Sequence, residues 1–152
     1  MTDTKHEAAA IAELADRVEA AIWPQNDRIL NREVARAVGW GYRTPSEHGR
    51  KNPAWFHPDD CRDGRPVMDS LHGTDVWREP LDYLGSLDAA MTLVPDGWSL
   101  GQWTIIGKPD SARIWRDGCD VLARGATPAL ALTAAALRAR TLLHSTDEKD
   151  VV

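Results

Sequence analysis

No run of 18 apolar residues occurs in this 152-residue chain, so the sequence offers nothing that would span a bilayer. The N-terminus, Met1 to Glu7, lacks a basic segment followed by an apolar one, and does not read as a signal peptide. Lysine is scarce: only four of the 18 basic residues are lysines. The net charge of −5 argues against broad binding to nucleic acid or to anionic membranes. Cysteine is limited to Cys61 and Cys119, far apart in sequence. The plain expectation is two reduced thiols in a cytoplasmic protein, with a disulfide between them left open. Also missing are Gly-x-Ser-x-Gly, a P-loop and a dinucleotide fingerprint. The excess of arginine over lysine and the abundance of alanine fit a GC-rich coding sequence of bacterial or phage origin.

What is present suffices for a core. The chain is 43% hydrophobic, and its length suits one domain with loose ends. The clearest organisation lies over residues 83–143. Ser86 is placed to cap a short helix from Leu87 to Val94, with Asp88 in its first turn. Pro95-Asp96-Gly97 marks a turn. Trp98 to Ile106 reads as a strand whose alternation slips at Gly101, which predicts a bulge. Ala112 to Arg116 is a second strand, with Ile114 and Trp115 on opposite faces. Asp117-Gly118 is a two-residue hairpin turn, and Cys119 to Arg124 the third strand. Thr127 then caps, and Pro128 starts, a helix of alanine and leucine. Leu130, Ala131, Ala134, Leu137 and Thr141 are expected to share its buried face.

Before this core, Ile11, Leu14, Ala15, Val18 and Ile22 recur at helical spacing. A second helix carries Ile29, Leu30, Val34, Ala37 and Val38, capped by Asn26 or Asn31 and stopped by Gly39. The apolar stripes of both helices look larger than one small sheet needs, which suggests self-association. From Trp40 to Pro80 periodicity vanishes, which implies either a functional loop or short unrecognised elements. The expected organisation is N-terminal helices over 1–40, a loop region over 41–82, a core over 83–143 and a frayed acidic tail over 144–152. The fold class is α+β: an antiparallel sheet of three or more strands sandwiched between helices. Its core order is helix-β-β-β-helix, preceded by the N-terminal helices.

Two runs carry a family likeness. One extends from Tyr83-Leu84-Gly85-Ser86-Leu87-Asp88 through Pro95-Asp96-Gly97-Trp98. The other opens with Ala123-Arg124-Gly125-Ala126-Thr127-Pro128 and continues to Leu137. Together they resemble the phage ABA sandwich domain proteins of phages and prophages, over roughly residues 83–143, with a fainter echo at Asn31–Trp40. The resemblance implies a sheet between helical layers and a phage setting, and it supplies no catalytic residue. The core order is also similar to the double-stranded RNA-binding fold and to the HicB-type antitoxin domain. An RNA binder needs lysines where this chain has Ala129, Leu130, Ala131 and Leu132, so only a protein-binding use of that fold survives.

Seven tryptophans stand at 23, 40, 55, 77, 98, 103 and 115. Trp98 and Trp115 are expected in the core. Trp40, Trp55, Phe56 and Trp77 lie outside the regular pattern and are the candidate binding residues, for a partner protein or a nucleotide-like ring. His57, Cys61 and His72 are candidate metal ligands, since zinc accepts that donor set, but their spacing fits no standard zinc signature. Asp59, Asp63 and Gly64 sit at the first, fifth and sixth positions of an EF-hand loop, but Cys61 and Ser70 break the pattern. Cys61 beside His57 or His72, and Ser46-Glu47-His48, are bare candidates for nucleophilic catalysis.

The reading favoured by these observations is a non-enzymatic cytoplasmic phage or prophage accessory protein, without a cofactor. It would bind a protein, itself or a small nucleotide, in host takeover or counter-defence. A second reading is a helix-turn-helix-like DNA regulator through residues 29–51, with a recognition helix too short for the major groove. A third is a metal-dependent hydrolase on His57, Cys61 and His72.

Overall fold

The computed structural model describes residues 3–21, 28–43, 54–56, 61–62, 65–66, 80–103 and 110–147. These form helices α1 (Asp3–Ala20), α2 (Arg28–Ala37), α3 (Leu87–Met91) and α4 (Pro128–Asp147). The strands are β1 (Gly41–Arg43), β2 (Ala54–Phe56), β3 (Cys61–Arg62), β4 (Arg65–Pro66), β5 (Ser99–Trp103), β6 (Asp110–Arg116) and β7 (Cys119–Gly125). The protein is α+β, with an antiparallel sheet in the order β5-β6-β7 flanked by helices. It divides into two compact units, Met1–Arg28 with Asp82–Val152, and Ile29–Leu81. Helix α1 belongs to the unit that holds the sheet, and α2 to the unit with the residues after it.

The first unit is built around α4. Thr127 accepts the Leu130 N–H at 3.3 Å, and Pro128 occupies the first turn, where its missing N–H costs nothing. Every residue from Ala129 to Leu137 is buried, as is Ala139. The residues expected to share one face, Leu130, Ala131, Ala134 and Leu137, are buried, and so are those between them. The helix is enclosed on all sides, packing on β6 and β7, on α1 and on α3. Its alanines let these neighbours approach closely, while Leu130, Leu132 and Leu137 each bury a full side chain, worth about 1.5–3 kcal/mol. The stripe of α1, Ile11, Leu14, Ala15 and Val18, is buried within the molecule, and α1 packs on α4. Arg138 of α4 binds both Asp16 and Glu19 of α1, and Glu19 also accepts the Arg124 N–H at 3.1 Å.

The sheet follows from its turns. Asp117 (φ 38°) and Gly118 (φ 84°) both lie in the left-handed region, as the right-handed strand twist demands of a two-residue turn. The resulting register runs unbroken from Asp110↔Gly125 to Arg116↔Cys119. Ala112, Ile114, Val121 and Ala123 form its buried face. The register of β5 against β6 is also continuous, with Gly101 opposite Arg113, so the bulge expected at Gly101 is not there. Trp115 is 38% exposed, contrary to the core position expected for it. Strict alternation gives Ile114 to α4 and leaves Trp115 on the other face. Ser86 caps α3 through the Ala89 N–H at 3.3 Å, and the helix ends at Met91, three residues short of expectation. The buried Thr133 hydroxyl donates to the Tyr83 carbonyl at 2.9 Å, tying α4 to the chain before α3. Residues 144–147, expected to fray, continue α4.

In the second unit, α2 ends in a Schellman motif. Gly39 (φ 105°) lets the Trp40 N–H reach the Ala35 carbonyl at 3.0 Å and its own N–H reach that of Arg36 at 3.2 Å. Asn31 lies inside α2 and does not cap it; its amide donates to the Leu81 carbonyl at 2.9 Å. The region expected to be loop contains two antiparallel pairs, β1 with β2 and β3 with β4.

Candidate functional site

Helix α2 has two faces. Leu30, Val34 and Ala35 are buried. Ile29, Arg32, Glu33 and Arg36 recur at i, i+3, i+4 and i+7, so they share a second face. Tyr42 and Trp55, directly opposite each other on β1 and β2, meet that face. The six residues line a cavity of about 350 Å³, within the usual range of small-molecule sites.

The cavity's geometry is defined by its aromatic pair. The Tyr42 and Trp55 rings lie 4.8 Å apart between centroids, tilted by 57°. The Arg36 guanidinium carbon stands 5.8 Å from the Tyr42 centroid, where a cation is drawn to the ring face. Arg36 is exposed, Arg32, Glu33 and Tyr42 are half-buried, and Ile29 is 74% exposed. Trp55 is 4% exposed, and its indole N–H is buried without a hydrogen-bond partner, an uncommon state for a native donor. The described lining carries two guanidiniums and one carboxylate. Guanidinium forks match phosphate or carboxylate oxygens, and their planes stack on rings.

Of the residues singled out from the sequence, Trp55 lines this groove. Trp40 is buried to the same degree as Trp55, 4% exposed, and is not among the residues that line the groove. Phe56 pairs with Gly41 through its backbone; its side chain, like all of Trp77, lies outside the described residues. Cys61 pairs with Pro66 in β3, again described only as backbone, and His57 and His72 lie outside the described set, as do Ser46, Glu47 and His48. Among the described residues no group of three or more His, Cys, Asp or Glu is placed to hold a metal ion. Cys119 is a free, exposed thiol. Within residues 29–51, α2 is the expected helix, but β1 occupies 41–43, where a helix-turn-helix would carry its turn. The sequence reading missed Ile29, Arg32, Glu33, Arg36 and Tyr42. Ile29, expected in the apolar stripe of α2, is 74% exposed beside Arg32, Glu33 and Arg36, whose helical spacing was the available signal.

A second surface lies on the open face of the sheet. Arg113 donates to both carboxylate oxygens of Asp120, one at 2.7 Å, and its guanidinium stands 5.3 Å from the Trp115 centroid. Leu122, opposite Arg113, is 53% exposed. The bonds to Arg113 hold the Asp120 carboxyl below the usual carboxylate range. Among the described residues no helix is long and apolar enough to cross a membrane.

Fold and cavity thus define an α+β protein whose second unit carries a groove lined by two aromatic rings, two arginines and a glutamate. No protein-family model, no curated protein and no solved structure matches the chain.

Proposed function

We propose that the protein acts by binding, with no bond chemistry of its own, and that the groove of α2, β1 and β2 holds a small planar ligand. The observation that carries this is the convergence on one cavity of Trp55, an aromatic partner and two arginines. Rings and guanidiniums recognise flat, electron-rich groups at little cost in conformational entropy. The likeness of residues 83–98 and 123–137 to phage ABA sandwich domain proteins supports an accessory role in a phage or prophage, inside the host cell. Neighbouring genes for host takeover or counter-defence would agree with that setting, and a housekeeping operon would not.

The test is amide chemical-shift mapping of the full chain against nucleotides and other planar compounds. Shifts are expected to cluster at residues 29–36, 42 and 55. If none moves at about 1 mM ligand, where binding of only ~4 kcal/mol would register, the groove is no ligand site. A protein partner is the second reading, favoured by the exposure of Trp115 and Leu122 on the open sheet face. Trp115→Ser would then abolish capture of that partner while leaving the groove shifts unchanged.

A further inference from the structure

Independently of the groove, we infer that β7 is a dimerisation strand: it pairs antiparallel with the β7 of a second copy about a two-fold axis at Leu122, joining two sheets edge to edge. Strand β7 is last in the order β5-β6-β7, and among the described residues no strand lies on its other side. The Arg124 N–H leaves the ladder and bonds Glu19, 3.1 Å away. Hydrogen-bonding direction alternates along a strand, so the N–H and C=O of Asp120 and Leu122 point to the same edge. The strand has seven residues, contains no proline and keeps an unbroken register with β6, so no bulge turns this edge away. At its centre stands Leu122, 53% exposed. The opposite edge, β5, is shorter and has at its centre Gly101, which offers no side chain to pair.

Charge complementarity names the occupant. Residues 120–124 read Asp-Val-Leu-Ala-Arg, an order that complements itself on reversal. With the axis at Leu122, that residue faces its own copy, and Asp120 of each chain faces Arg124 of the other. Each pair exchanges both backbone bonds. Opposite charges directly across a ladder stabilise it, and the facing leucines lose exposed apolar surface. Sliding the register either way sets Leu122 against a charged residue, or a charge against its like. Contacts already made are accommodated. Asp120 accepts from Arg113 at both oxygens, and a carboxylate has lone pairs for a further donor. The Arg124 N–H exchanges Glu19 for the Asp120 carbonyl of the second copy, while Glu19 keeps Arg138.

Sedimentation velocity and amide exchange by NMR, both on the full chain, test the pairing. Between roughly 1 and 300 µM the chain should pass from monomer to dimer. Over the same range the Asp120 and Leu122 amides should exchange more slowly as the dimer fraction rises. Leu122→Glu sets like charges on the axis and should weaken the dimer at least about 30-fold. Arg124→Asp faces carboxylate with carboxylate and should weaken it roughly tenfold. Adding Asp120→Arg to Arg124→Asp restores opposite charges and should return the dissociation constant to within about threefold of wild type, a recovery that damage to the fold would not give. Unchanged circular dichroism shows that each variant is folded. Dimerisation without slowing of those amides, or a double exchange that recovers nothing, would overturn the pairing. A chain monomeric at every concentration would leave the edge to a strand of another protein and overturn it as well. None of these results bears on the groove, which stands or falls on its own ligand titration.

Discussion

Replacing Gly125 by alanine tests the packing of the first unit at its tightest point. Gly125 ends β7, opposite Asp110, and is buried where the chain turns into α4. A Cβ there would stand 2.6 Å from the Ala131 nitrogen, 2.9 Å from Leu130 Cβ and 3.0 Å from the Leu130 carbonyl carbon. Two of these three atoms are helix backbone and cannot swing aside. Relief to an ordinary contact needs a displacement of roughly 0.8 Å. Helix α4 has little room for it, because Ala129–Leu137 are buried against the sheet, α1 and α3. Overpacking of this kind costs about 1–3 kcal/mol. For a cooperative unit of about 100 residues that lowers Tm by roughly 5–20 °C. Gly85→Ala is the control. The three atoms nearest its Cβ all belong to the Asp82 carboxyl group, which can rotate into solvent at the loss of its 2.9 Å bond to the Gly85 N–H. That change should cost less than about 1 kcal/mol. Melting curves followed by circular dichroism decide between the two. Wild-type melting of Gly125→Ala, or a larger fall for Gly85→Ala, would refute the close seating of α4 on β7.

Other perturbations have definite outcomes. Thr133→Val keeps the shape but removes the hydroxyl that donates to the Tyr83 carbonyl, so chemical denaturation should show a loss of about 1–2 kcal/mol; no loss would mean that the 2.9 Å bond does not form in solution. Glu19→Ala removes a partner of Arg138 and the acceptor of the Arg124 N–H, and should destabilise by about 1 kcal/mol, less at high salt. Arg113→Gln should raise the Asp120 pKa, read by carboxyl-carbon NMR, because the hydrogen bonds that lower it are gone. A depressed folded pKa gives stability that is present above the unfolded value and lost as pH falls through the folded one. Both side chains are open to solvent, 42% and 50% exposed, so the titration and not the melting point should respond; an unmoved pKa would disprove the pair.

Much of the first unit was legible because its signals are local. A hydroxyl before Pro128, an Asp-Gly pair and an alanine-leucine run each bias the backbone over a few residues, whatever surrounds them. The fate of Trp115 was not legible. Alternation separates it from Ile114 but does not say which face a helix will cover. Nor was the use of the helical stripes: α1 buries its stripe against α4, whereas of the α2 stripe Leu30 and Val34 are buried and Ile29 is 74% exposed. In the site, Trp55 stood out as an aromatic outside any periodic pattern, which is weak evidence that Trp40 shares while lying in the core. The short strands carrying Tyr42 and Trp55 have three residues each, too few for a period to declare itself.

Residue order alone determined the caps, the two-residue turn, the strand alternation and the helical stripe of α1, because each depends on interactions between neighbours in the chain. Only tertiary structure decided that residues 129–137 of α4 are buried all round, that Trp115 and Leu122 stand exposed on one sheet face, and that Arg32, Arg36, Tyr42 and Trp55 border one cavity. Those outcomes depend on which distant surfaces meet, and the free energy of burial depends on that meeting and not on the sequence of either surface by itself.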